Sequence, residues 1–256
     1  MSTSPDAPLP PALDVQALSV RYGRTSVLED VSMAVPRGSV FAVLGRNGSG
    51  KTSLLRCVLG HRPAAAGRVL LFGENPWTRR TALMERVGVV PEEPNAPAEM
   101  TAEQLSAFCG RLHRRWDTDA VVERARRFDV PVDRPFGRLS KGQRGVVMLA
   151  LALGHAPELL LLDDPTLGLD VVARDVVFRE VIGDLADRGT TVLVTTHDLR
   201  AIEGLADRVA ILHGGRMALV GEMEKVKHEW GRPLEEIFMA VAGGGASAPA
   251  GEEVRT

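Results

Sequence analysis

The chain has 256 residues, with 31 Lys and Arg against 33 Asp and Glu, a formal net charge of -2. That balance lacks the basic excess of a polyanion binder, so nucleic acid is not an expected partner. Hydrophobic residues at 45% and charged residues at 25% are ordinary globular values, and the length suits one large α/β domain or one domain with an inserted subdomain. The two cysteines, Cys57 and Cys109, make neither a disulfide framework nor a metal spacing and are expected to pack as small apolar residues in a reducing compartment.

Residues 1 to about 11, rich in Pro, Ser and Ala, read as disordered, and Met1 to Leu13 carries no apolar stretch of the signal-peptide kind. Strand-like runs then fall at Leu13–Val20, Val31–Val35, Val40–Leu44, Gly67–Phe72 and Val87–Val90, and later at Leu159–Asp163, Thr191–Thr195, Val209–His213 and Met217–Gly221. The early and late runs are short and alternating, with a hairpin signal at Gly214-Gly215. The middle ones are continuous apolar runs, the pattern of parallel strands covered on both faces. Between about 95 and 155 the spacing turns helical, over Thr101–His113, Asp117–Phe128 and Ser140–Ala152, and Thr101 with Gln104 reads as a capping box. Val146 to Leu153, the best apolar run, is broken at Gly154, far short of the roughly 20 residues a bilayer span needs. Any membrane role is therefore expected to come through a partner. Beyond residue 230 a C-terminal extension is expected, mostly a disordered tail, with Gly243 to Thr256 its clearest part.

Within that frame Gly45-Arg46-Asn47-Gly48-Ser49-Gly50-Lys51-Thr52 fits G-x-x-x-x-G-K-[ST] between a buried strand and a helix opening. The glycines let backbone N–H groups crowd round an anion, and the helix N-terminus adds partial positive charge. Gly45, Asn47, Gly48, Ser49 and Gly50 would form the cradle, Lys51 would reach the terminal phosphates, and Thr52 would ligate Mg²⁺. A second signal, Leu159-Leu160-Leu161-Leu162-Asp163-Asp164, is a buried strand ending in two carboxylates. Asp163 is assigned to the metal and Asp164 to the attacking water, against the plainer alternative of a helix N-cap.

Leu139-Ser140-Lys141-Gly142-Gln143 ahead of an apolar helix resembles the signature of the ABC ATPases, usually L-S-G-G-Q. The likeness extends to Leu167-Gly168-Leu169-Asp170, similar to the loop that crosses the dimer interface in that family, and to Thr195-Thr196-His197, where His197 resembles the switch histidine. Together these span about residues 12 to 225. The resemblance implies an α/β, RecA-like P-loop NTPase with a parallel-sheet core, an antiparallel β subdomain and a helical subdomain inserted at about 95–155, the whole ATPase domain covering 12–230. It implies ATP and Mg²⁺ as cofactors, with Lys51, Asp164 and His197 catalytic and Thr52, Asp163 and Glu92 on the metal. Tyr22, the only tyrosine, would stack on adenine, or else serve an edge strand. Thr166, Ser140, Gly142, Gln143 and Asp170 would touch nucleotide, the last four across a homodimer or heterodimer; Ser140 alternatively caps a helix. Separately encoded membrane-spanning permease subunits are the implied partners, docking near Glu92 to Met100, in the service of export in the family's sense, with the chain on the inner face of the cell membrane. A soluble ABC ATPase and a non-hydrolysing regulatory cassette are the alternatives.

Two departures bear on rate. The family has Gln where this chain has Glu92, or Glu93 if the register slips by one, and Glu where it has Asp164. A carboxylate one methylene farther from water predicts slow hydrolysis, since misplacement by about 1 Å costs on the order of 10²-fold.

Overall fold

The computed structural model describes residues 9–165, 182, 185, 188–199 and 202–243. Two sheets carry the fold. The first is antiparallel, in the order β2-β1-β4, from β1 (Leu13–Tyr22), β2 (Thr25–Val35) and β4 (Ala66–Leu71). The second has the order β5-β6-β7-β3-β8-β9, from β3 (Val40–Leu44), β5 (Val87–Val90), β6 (Leu159–Asp163), β7 (Thr191–Thr196), β8 (Arg208–His213) and β9 (Arg216–Glu222). All its pairings are parallel except the β8–β9 hairpin at one edge.

The uninterrupted apolar runs follow from burial on both faces. All five residues of β3 are buried, and alternate ones serve different cores. Val40, Ala42 and Leu44 join Leu160, Leu162, Val192 and Val194 on one face. Phe41 and Val43 join Leu159, Leu161 and Leu193 on the other, against Leu13, Leu18 and Leu28 of the antiparallel sheet. β2 starts six residues earlier than its apolar pattern shows, because register shifts along β1 and a left-handed Asp30 break the alternation.

A third core belongs to the helical segment, built from α3 (Ala102–Gly110), α4 (Thr118–Arg127) and α5 (Lys141–Ala152), with a 3₁₀ turn at Phe136–Arg138. Thr101 and Gln104 form the expected capping box at the start of α3. One helix joins the two layers: Val146, Val147 and Ala150 of α5 face the helical core, while Leu149 and Ala152 face the main sheet. Behind α5 a ring stack strengthens the joint. The His113 and His155 centroids lie 4.3 Å apart, and Trp116 donates to Ser106 at 2.9 Å.

Three helices were not among those expected from the sequence: α2 (Arg80–Met84), α6 (Met223–Trp230) and α7 (Leu234–Ala242). The last corrects the domain boundary placed at 230. Leu234, Ile237, Phe238, Val241 and Ala242 are buried with Leu44 and Val194, so the packed unit continues to residue 242. Ile237→Ala should therefore cost about 2–5 kcal/mol, seen as a lower urea midpoint with an unchanged slope; a surface-like effect below about 0.5 kcal/mol would show that this helix is only an appendage.

Candidate functional site

Strand order assembles the site. β5, β6, β7 and β3 are neighbours, so the loops leaving their C-terminal ends converge on one edge, where open α/β sheets bind ligands. Register sets the detail: Asp163 pairs with Thr195 and Leu44 with Thr196, which puts the carboxylates, the two threonines and the start of the glycine loop in one row.

From Leu44 the chain turns through the loop into α1 (Lys51–Val58). Gly50 sits at φ +112° and Gly48 at φ +81°, where side chains are strained. Gly45 has no room for one, as a Cβ there would lie 2.4 Å from Ser49 Oγ and 2.8 Å from the Leu212 carbonyl. Lys51 folds back into the loop and donates to the Gly45 carbonyl at 2.7 Å and the Arg46 carbonyl at 3.4 Å. Burial lowers its amine from the ordinary lysine value, and the charges of Asp164, Asp163 and Glu92 oppose that shift. Those three carboxylates thus all act on one buried cation.

The carboxylates are held by hydroxyls. Thr195 Oγ1 donates to Asp163 Oδ1 at 2.7 Å, and Thr196 Oγ1 donates to Asp164 Oδ1 at 3.2 Å. Asp164 leaves the strand at φ +40°, a left-handed turn that Asp tolerates better than most residues, and its backbone N–H donates to the Thr195 carbonyl at 2.8 Å. Its second oxygen, Oδ2, lies 2.6 Å from His197 Nδ1. A carboxylate only accepts, so Nδ1 carries the proton and Nε2 is the ring atom free to meet a ligand. Asp164 is 7% exposed and the His197 side chain 52% exposed, an arrangement of a buried anchor and an accessible tip.

The residues present fit a nucleotide and a hard cation. Ser49 Oγ is buried in the loop with no partner, a donor awaiting an anion. Thr52, Asp163 and Glu92 would make an all-oxygen donor set, the kind Mg²⁺ takes.

Other expected residues lie elsewhere. Ser140 caps α5 and with Gln143 closes a capping box, at 3.2 and 3.1 Å, while Gly142 is buried in the helix. Among the described residues no hydrogen bond or ion pair of these three reaches the loop at Gly45; Gln143 instead donates to the Asp129 carbonyl at 3.4 Å. Tyr22 ends β1 with the Arg62 guanidinium 3.9 Å over its ring and Arg56 donating to its hydroxyl at 3.2 Å. Hydrogen bonds with Ser53 and then Arg56 hold that hydroxyl below its ordinary value. Thr166 and Asp170, with the rest of Leu167-Gly168-Leu169-Asp170, lie outside the described residues. Sequence reasoning passed over the hydroxyls of Thr195 and Thr196 and the two arginines on Tyr22. A signal was present for the first pair, since polar groups ending a buried apolar strand must find partners.

A strand-loop-helix phosphate cradle with a lysine, a carboxylate pair and a histidine defines a P-loop nucleotide-binding cassette. The ABC transporter family matches residues 28–167. The Nod factor export ATP-binding protein I of Ralstonia nicotianae is 35% identical over 89% of this chain and 73% of its own length. The ABC transporter ATP-binding protein YtrB of Bacillus subtilis is 29% identical over 85% of this chain and 74% of its own. Among solved structures, an ATP-binding subunit of an ABC transporter superposes with a TM-score of 0.81 at 26% identity, covering 90% of this chain and 99% of that one. The chain belongs to the ABC transporter family, as an ATP-binding and ATP-hydrolysing subunit. No helix among the described residues is long and apolar enough to cross a membrane.

Proposed function

We propose that this subunit powers export through membrane-spanning permease subunits, with two cassettes closing on two MgATP. The observation that carries the reading is the convergence of Lys51, Asp163, Asp164, Glu92 and His197 on one sheet edge while Ser140 and Gln143 stay apart from it in the same chain. In this reading the loop Gly45–Thr52 binds phosphates, Thr52 and Asp163 hold Mg²⁺ with Glu92 beside them, and Tyr22 meets the adenine. Mg²⁺ would neutralise charge on the phosphates. Asp164 and His197 would orient the attacking water and the γ-phosphate. Ser140, Gly142 and Gln143, with their helix N-terminus, would complete the other cassette's site. Closure draws on contacts made only in the shut state, and loss of the γ-phosphate releases them.

Export is supported by the Nod factor export protein, and a transport role by the bacitracin transport ATP-binding protein BcrA of Bacillus licheniformis, 32% identical over 78% of this chain and 66% of its own length. A permease partner is supported by cbiO1 from Clostridium perfringens, part of the ABC transporter complex cbiONQ, which superposes with a TM-score of 0.75 at 28% identity over 86% of this chain and 92% of that one. The loop after Glu92 offers a route for coupling. Its far end is tied by backbone hydrogen bonds from Gly137 to Ala98 at 2.7 Å and from Phe136 to Met100 at 2.8 Å, just ahead of Ser140. A permease helix pressing on residues 93–100 would be felt at Glu92 and at Ser140.

Hydrolysis is proposed to be slow, because the Asp164 carboxylate is spent on Thr196 and His197 and stands one methylene short of a water beyond them. Asp164→Glu, assayed with the permease co-purified in proteoliposomes, should raise the turnover number by about 10- to 100-fold. An unchanged or lower turnover would refute the slow-Asp account.

A further inference from the structure

We propose that Thr195 and Thr196 are positioning residues that divide the two carboxylates between them, Thr195 aiming Asp163 at the metal and Thr196 locking Asp164 to His197. The inference rests on the reading of this edge as the ATP and Mg²⁺ site.

The division follows from sheet geometry. Successive residues of a strand face opposite sides, and register partners in a parallel pair face the same side. Asp163 and Thr195 are register partners, so their side chains share a face and meet at 2.7 Å. One residue on, the chain has left β6 but still follows β7, with the Asp164 N–H bonded to the Thr195 carbonyl at 2.8 Å. Asp164 and Thr196 therefore fall together in turn, at 3.2 Å. Each carboxylate has its own hydroxyl, and neither can be served by the other's.

The two hydroxyls differ in what else they hold. Thr195 Oγ1 also accepts from the Asp164 N–H at 3.3 Å, which fixes the strand end where the chain turns left-handed. With Oδ1 of Asp163 taken by Thr195, Oδ2 is left to face a cation. Thr196 Oγ1 accepts from the Asp198 N–H at 3.0 Å while donating to Asp164. It thereby closes a ring through Asp164, His197 and the backbone at Asp198, with Asp164 Oδ2 on His197 Nδ1 at 2.6 Å. The His197 imidazole is aimed by that ring. Both hydroxyls are enclosed, Thr195 being 0% and Thr196 5% exposed, so water cannot stand in for either.

Removing a hydrogen-bonding partner behind a ligand or an acid–base group costs roughly 10- to 100-fold in metal affinity or in activity. Thr195→Val should raise the Mn²⁺ concentration for half-saturation, read by electron paramagnetic resonance with ATP present, by that factor, and excess metal should relieve its turnover defect. Thr196→Val should lower kcat by a similar factor, with KM and Mn²⁺ half-saturation within about twofold of wild type. Serine at either position, which keeps the hydroxyl, should restore the lost property. Thr195→Ala and Thr196→Ala, which bring no methyl against a carboxylate, should show the same division. The inference is overturned if both valine variants lose the same property, if the metal defect follows Thr196, or if serine fails to rescue. A wild-type chain that bound no ATP would overturn the functional reading itself; a wild type that binds and hydrolyses ATP while the threonine variants fail to separate overturns this inference alone.

Discussion

Lys51→Ala should lower ATP affinity by roughly 30-fold or more and kcat by about 10²- to 10³-fold, measured by titration calorimetry with MgATP and by phosphate release. The amine sits inside the glycine loop, 2.7 Å from the Gly45 carbonyl, where incoming phosphate oxygens would replace the carbonyls as its partners. It is also the cation on which Asp163, Asp164 and Glu92 all act. Without it, three carboxylates would confront a polyphosphate with only the metal and backbone dipoles to offset them. Lys51→Arg should rescue poorly, because a planar guanidinium cannot fold back into a cradle shaped for a compact ammonium. Nucleotide affinity and turnover equal to wild type would mean that the loop does not hold the phosphates, and the site assignment would fall with it.

Asp164→Asn should lower kcat by about 10²- to 10³-fold while ATP affinity stays within a few fold, the usual scale for losing an acid–base group. Both oxygens of Asp164 accept, one from Thr196 and one from His197. An amide presents an NH₂ on one side, so either His197 must shift its Nδ1 proton to Nε2 or Thr196 must turn its hydroxyl from donor to acceptor. A polar group buried without its partner is costly, and the network that aims His197 would rearrange. With binding intact and hydrolysis blocked, MgATP should trap the closed pair, and size-exclusion chromatography should show a dimer that persists for hours. The result that would count against this account is an Asn variant that turns over at the wild-type rate. That outcome would leave Asp164 a structural turn residue, which its φ of +40° alone would justify.

The contrast between Lys51 and Ser140 shows what a sequence can convey. The spacing of Gly45, Gly50, Lys51 and Thr52 between an apolar strand and a helix was legible, because a phosphate cradle is a local object made by consecutive residues. The apolar runs of β3, β5, β6 and β7 were legible for a similar reason, since burial on both faces removes polar residues from a strand. The capping box at Thr101 was local too. Ser140 shows the limit of such reading. Its motif pointed to a nucleotide, yet in the chain by itself it caps α5, and its proposed nucleotide role needs a second cassette.

Helix α7 was missed although its apolar residues have helical spacing, because a glycine-rich stretch follows at once and nothing local shows what they pack against, which is the sheet core holding Leu44, Val194 and Ile211. The early start of β2 was hidden by register shifts that only its pairing with β1 reveals. By itself the sequence determined the chemistry on offer: a phosphate loop, two adjacent carboxylates, a histidine, and the order in which they come. The tertiary structure decided which groups meet. It gave Thr195 to Asp163 and Thr196 to Asp164, and set Arg62 on Tyr22. The physical reason is that strand order and register are set by burial of the whole sheet, so residues more than 30 apart are brought to hydrogen-bonding distance by packing that no short stretch of chain contains.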